Sequence, residues 1–171
     1  MTLQLEYSLR KAIIKNQYDE TLYICNRSDE FNVVLNSKEE EIAKIKQKQN
    51  GWINYDYHIE KINQSFIMIG KFWKKRFSVQ INSDYYFITF HRTKCSIFKN
   101  NIQIGYVDTN VISYGTTITA KIYLNQNIDL ELVLIMIFAT ICDTDPSDTN
   151  LNINFLLGPE YQKFNSNWFP S

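Results

Sequence analysis

From Leu132 to Cys142 the chain is apolar on every face of a helix, with Thr140 as its one polar interruption. A helix that is hydrophobic all round has to be buried on all sides. The run is too short for a membrane span, which takes about 20 apolar residues. Something else in the same chain must enclose it. Everything upstream reads as short strands and turns, so the expected arrangement is a sheet curled around a helical plug.

Alternation with period two marks those strands most clearly in the middle of the chain. Phe77, Val79 and Ile81 alternate with Ser78 and Gln80, and Tyr86, Ile88 and Phe90 share one face of the next strand. Asn82-Ser83-Asp84 between them is a hairpin signal. Cys95 to Phe98, the turn Lys99-Asn100-Asn101, then Ile102, Ile104 and Tyr106 continue the meander. Ile118, Ala120, Ile122 and Leu124 form one face of a further strand. In the first half, residues 4–9, 21–25, 31–35, 42–48, 55–62 and 66–69 are further strand candidates. Glu39-Glu40-Glu41 could instead open a helix, but the stretch after it offers only a thin apolar stripe, which favours a strand.

The expected fold is therefore mainly β: about ten to twelve short antiparallel strands over residues 3–124 closing into a barrel. That barrel encloses one hydrophobic helix at 128–142, with a packed tail at 143–171. At 171 residues the chain suits a single domain. Hydrophobic content of 44% supports a folded core. Only five Gly serve the many turns, and Asn, which tolerates the left-handed conformation, stands at 100, 101, 125 and 127 in their place. Asn127 is the expected cap of the helix, with Asp129 and Glu131 suiting its dipole.

Lys+Arg and Asp+Glu balance at 18 each, so no global field draws the chain onto nucleic acid or anionic lipid. Any such binding needs a local patch. The three cysteines, Cys25, Cys95 and Cys142, show no paired spacing and read as reduced core thiols. The first residues lack a basic start and apolar run, so a cytoplasmic protein is expected.

The order of elements carries a resemblance. Strands such as Phe66-Ile67-Met68-Ile69-Gly70 and Phe77 to Ile81 are followed by a last strand, Ala120-Lys121-Ile122-Tyr123-Leu124. A short Asn-rich turn and an apolar helix after an Asp come next. This succession over residues 3–142 resembles the tubby C-terminal-like superfamily, which includes tubby domains, phospholipid scramblases and LURP-one-related proteins. The resemblance implies a closed barrel around a hydrophobic helix, and a binding role at phosphoinositides or membranes with no general catalytic activity.

Two candidate surfaces follow. Lys71-Phe72-Trp73-Lys74-Lys75-Arg76 is the densest basic cluster. In it Lys71, Lys74, Lys75 and Arg76 suit lipid headgroup phosphates and Trp73 suits the membrane interface. The same cluster also reads as a solvated turn whose aromatics pack inward. Lys44, Lys46 and Lys48 share one outward face that could extend it, but Glu39-Glu40-Glu41 before them offsets their charge, and a solvated face is the stronger reading. The second surface is the tail, where Tyr161, Phe164, Trp168 and Phe169 would either fold back onto the domain or meet a protein partner. On that reading the chain is an adaptor or a toxin-neutralising protein.

Neither His58, flanked by Asp56 and Glu60, nor His91 has a partner at ligand spacing. Asp143, Asp145 and Asp148 lack the Gly and terminal Glu of a calcium loop. No nucleophile elbow, phosphate loop or dinucleotide fingerprint is present. Neither metal nor cofactor is expected, and the chain reads as a non-enzymatic binding module, peripheral to the membrane if lipid is its ligand.

Overall fold

Alternation of apolar and polar side chains sets the strands, and the all-apolar run sets what they surround. The structure, a computed structural model, describes residues 1–8, 10–50, 54–71, 76–91, 94–114, 117–141 and 164–171. Its first strands are β1 (Thr2–Tyr7), β2 (Lys11–Lys15), β3 (Thr21–Asn26), β4 (Asn32–Asn36), β5 (Glu41–Asn50) and β6 (Asn54–Lys61). Then come β7 (Gln64–Lys71), β8 (Arg76–Ile81), β9 (Asp84–Phe90), β10 (Lys94–Lys99), β11 (Ile102–Tyr114) and β12 (Thr117–Leu124). The helix α1 (Leu130–Ile141) follows.

Each strand pairs antiparallel with its neighbours in sequence, and β1 pairs with β12, so the sheet is a closed twelve-stranded barrel. The closing seam runs unbroken from Thr2 opposite Tyr123 to Tyr7 opposite Ile118. Closure leaves no unpaired edge strand. Leu5, Ile14, Ile45, Ile59, Met68, Ile88, Ile97 and Ile122 point inward and are fully buried. They form one core with α1, of which Leu132 through Ala139 are all buried. Thr140 satisfies its hydroxyl within the helix, donating to the Met136 carbonyl oxygen at 2.8 Å.

Three details differ from the reading of the sequence. A strand at Lys11–Lys15 was not expected. Ile13 faces out and is half-buried beside inward Ala12 and Ile14, which hides the alternation. β1 starts and ends two residues early relative to 4–9, at Thr2–Tyr7. The helix cap is Asp129, not Asn127: the Leu132 amide donates to Asp129 Oδ1 at 3.1 Å. Ile128 and Leu130 pack against the core, which delays the first helical turn. The segment 41–50 is a strand, and the turn residues Asn82, Asn100 and Asn101 adopt positive φ of 53°, 49° and 67°. Cys142, the Asp143–Asn150 linker and the Leu151–Phe155 alternation lie outside the described residues.

Among the described residues no helix is long and apolar enough to cross a membrane. The helix instead depends on the barrel around it. Each buried large side chain of α1 contributes about 1.5–3 kcal/mol. Replacing Phe138, the largest fully buried side chain, by Ala is expected to cost about 3–5 kcal/mol. Urea unfolding monitored by circular dichroism measures this; a cost under about 1 kcal/mol would show that the helix is not enclosed.

Candidate functional site

Up-and-down topology places every second hairpin at the same end of the barrel. The hairpins at 16–20, 37–40, 62–63, 82–83 and 100–101 lie at the end where α1 begins. The last residues of β1, β3, β5, β7 and β9 lie at the opposite end. The two ends differ in charge.

Where α1 begins, two neighbouring hairpins share one design. Asn16 Oδ1 accepts from the amides of Tyr18 (2.9 Å) and Glu20 (3.0 Å), while its Nδ2 donates to Glu20 Oε2 at 2.6 Å. Asn36 does the same with Lys38 (2.9 Å), Glu40 (3.0 Å) and Glu40 Oε2 (2.7 Å). Asp19 and Glu39 take equivalent positive φ of 64° and 63°, and each preceding strand carries a register shift at the same place, Ile14/Lys15 and Val34/Leu35. The design sets Asp19, Glu20, Glu39, Glu40 and Glu41 on two adjacent tips. Asp84, Asp129 and Glu131 lie at the same end. Their neutralisers are fewer. Lys15 lies 3.0 Å from Asp19, Lys99 2.8 Å from Asp84, Lys44 3.5 Å from Glu41 and Lys61 2.5 Å from Glu131, and Lys38 stands on the second tip. The hydrogen bonds from Lys99 and Asn100 hold the Asp84 carboxyl below its usual range. Burial, helped by Glu131 and Asp129, pushes the Tyr23 hydroxyl above its usual range. This end is acidic.

The opposite end is basic, and its cations concentrate on the outward face of β5 to β8. Lys46 pairs in register with His58, which pairs with Ile67, and Lys48 with Asp56, which pairs with Ile69. Lys71 stands opposite Arg76 on the next strand. Lys46, Lys48 and Lys71 are exposed, and so, to about half their surface, are Ile67 and Ile69. Of the predicted basic cluster, Lys71 is exposed. Arg76 is engaged in the fold: its guanidinium lies 4.1 Å from the Phe87 ring centroid. Trp73, Lys74 and Lys75 fall between these two strands and lie outside the described residues. Lys44 is held apart from this face, 3.5 Å from Glu41 and over the Phe31 ring.

Aromatic contacts fix the end of the chain to the barrel wall. Phe164 meets Tyr106 edge-on at 5.3 Å and His91 at 5.6 Å, with Lys94 Nζ 4.5 Å from its ring. Trp168 packs edge-on against Tyr106 at 5.6 Å and donates its indole N–H to the Gln103 carbonyl oxygen at 3.0 Å. The Ser171 amide donates to Asn125 Oδ1, and the Gln126 amide to the Ser171 backbone oxygen. Phe169 is left facing solvent. Tyr161 lies outside the described residues. Burial beneath this strap, reinforced by Tyr123 and Asp108, raises the Tyr106 hydroxyl above its usual range.

The remaining titratable groups read as structural. His58, Asp56 and Glu60 sit outward on β6 opposite Lys46, Lys48 and Lys44, and Asp56 Oδ2 accepts from Asn50 Nδ2 at 2.6 Å. His91 Nε2 lies 3.0 Å from Ser96 Oγ. Cys25 and Cys95 are buried, and burial pushes the Cys95 thiol far above its usual range. Among the described residues no group of three or more His, Cys, Asp or Glu is placed to hold a metal. Asp143, Asp145 and Asp148 lie outside them.

The axial separation of charge escaped the sequence reading because a net charge of zero conceals it. The shared Asn-x-x-Asp/Glu-Glu pattern at 16–20 and 36–40, twenty residues apart, was the available signal. No family model matches the chain, nor does any curated protein or solved structure. The strap is testable on its own. Trp168→Ala, which removes one hydrogen bond and one aromatic pair, is expected to lower stability by about 1–3 kcal/mol in denaturant unfolding. No change would show that the strap contributes nothing to the barrel.

Proposed function

We propose that this chain is a non-enzymatic binding module of the tubby C-terminal-like kind. On this reading it associates through its basic end with anionic phospholipid headgroups at the cytoplasmic membrane surface. The observation that carries it is the outward face of β5 to β8, where Lys46, Lys48 and Lys71 stand exposed beside half-exposed Ile67 and Ile69. Cations near an anionic membrane contribute about 1 kcal/mol each. Apolar side chains among them add burial in the interfacial layer. The closed barrel around an apolar helix also fits the kinship that the order of elements suggests.

A protein-binding role through the tail is the weaker reading. Phe164 and Trp168 are committed to Tyr106, which leaves Phe169 as the one exposed aromatic among the described tail residues.

Flotation with phosphatidylcholine vesicles, with and without phosphatidylserine, tests the lipid reading. Binding is expected only with the anionic lipid, and it should fade as added salt shortens the Debye length. Reversing Lys46, Lys48 and Lys71 to Glu is expected to weaken it about 100-fold or more, at about 1 kcal/mol per cation. Binding that ignores this triple change, or none by the wild type at low salt, refutes the reading.

A further inference from the structure

The four most exposed large hydrophobic side chains among the described residues are Ile62 at 81%, Phe169 at 79%, Tyr18 at 75% and Ile102 at 69%. All four belong to the acidic end. Tyr18 tips the β2–β3 hairpin, Ile62 the β6–β7 hairpin, and Ile102 opens β11 directly after the Asn100-Asn101 turn. Phe169 is brought there by the bonds that tie Ser171 to Asn125 and Gln126. Single exposed apolar side chains are ordinary on protein surfaces. Four that gather at one end of a barrel, each more exposed than any other, describe a contact surface.

Charge narrows what that surface accepts. Carboxylates on two adjacent hairpins repel anionic lipid and nucleic acid. The complement is a surface of similar breadth that carries cations and accessible apolar side chains. The chain itself has one at its other end: Lys46, Lys48, Lys71, Arg10 and Lys11, with Phe31 and Tyr55 exposed there and Asp29 and Glu30, beside Phe31, only partly offsetting the cations. Closure removes edge pairing as a route to association, which leaves the outward rows and the two ends. The zero net charge means that copies do not repel one another as wholes. Stacked end to end, their enclosed helices also lie head to tail, with the positive N-terminus of one facing the negative C-terminus of the next.

We propose that the acidic, apolar-tipped end of one molecule docks on the basic end of a second copy. The contact is heterologous, so it propagates into chains instead of closing on a twofold axis. It does not depend on the lipid reading, although both would use the basic end, and lipid would therefore compete with it.

Sedimentation velocity on the full chain tests this. Association is expected at low salt and should weaken at least about tenfold at about 0.5 M salt. Two variants decide the geometry. One carries Ile62→Lys and Ile102→Lys at the acidic end; the other carries Lys46→Glu, Lys48→Glu and Lys71→Glu at the basic end. Every site is solvent-exposed, and unchanged circular dichroism and melting confirm the fold. Neither variant should self-associate, because each retains one working end. Mixed one to one, they should form a heterodimer that stops at two, since one good end of each remains to meet the other. A wild type that stays monomeric up to about 1 mM, where an interaction of about 4 kcal/mol is half-formed, overturns the proposal. So does a mixture that yields no heterodimer, which marks a symmetric contact. The Ile62/Ile102 variant should still float with anionic vesicles; lost flotation in it alone would place lipid at the acidic end and also overturn the assignment. Failure of the wild type to float bears only on the lipid reading.

Discussion

Enclosure of α1 is the constraint on which the rest of the structure depends. Leu132 through Ala139 are buried on every side, and no single sheet could cover a helix with no polar face. A sheet that curls far enough to surround it has to close. Closure also meets a second demand, because an open sheet of this length would leave two unpaired edges. Inward Ala12, Ala43 and Ala120 stand among larger inward residues such as Leu5, Ile45 and Ile122, and mixing small with large side chains is how a packed interior fits a rod inside a ring. Gly105 serves the same fit: a Cβ there would run into Leu124 Cδ2 and meet the Tyr123 carbonyl oxygen at 2.8 Å.

The buried helix also imposes an electrostatic order. Its N-terminus carries partial positive charge and its C-terminus partial negative charge, and the burial of the helix leaves little water to screen them. At the N-terminus Asp129 caps the first turn, Glu131 follows, and Lys61 pairs with Glu131 at the rim. The wider rim follows the same sign, with carboxylates gathered on the tips at 16–20 and 36–40. At the far end the sign reverses through Lys46, Lys48, Lys71 and Arg76. The axial charge of the surface therefore opposes the dipole of the enclosed rod. The charge of the rim is in this way continuous with the capping of the helix.

What the sequence made legible follows from period and context. Long clean alternations such as Ile118 to Leu124, and the all-apolar run after Asp129, announced their partners without tertiary information. The two-face burial of β9 and β10 did not hide them, since their turns carried Asn at the positions that need positive φ. β2 was illegible because its half-buried outward Ile13 breaks the alternation. The position of the cap was illegible because packing of Ile128 and Leu130, a tertiary effect, decides where the first turn begins. For the candidate site, the outward row of Lys46 and Lys48 was readable from period two. The fate of Arg76 was not, because Phe87 comes beneath its guanidinium only through the pairing of β8 with β9. Phe164 and Trp168 became structural for the same reason: Tyr106, which receives both, is about sixty residues away in sequence.

A closed barrel with a filled interior has few ways to recognise anything. Its strands offer no edge for strand addition, and its centre is occupied by α1. Recognition is confined to the outward rows and the two rims. One outward sector, around Tyr106 and Tyr123, is already covered by the chain's own residues 164–171. The sector over β5 to β7 keeps lysines exposed beside Ile67 and Ile69, and solvation alone does not explain the two isoleucines. The acidic rim keeps four apolar tips on the same terms. Surfaces that cost solvation without contributing to the core are the ones a binding function would retain, and here the fold leaves them at opposite poles with opposite charge.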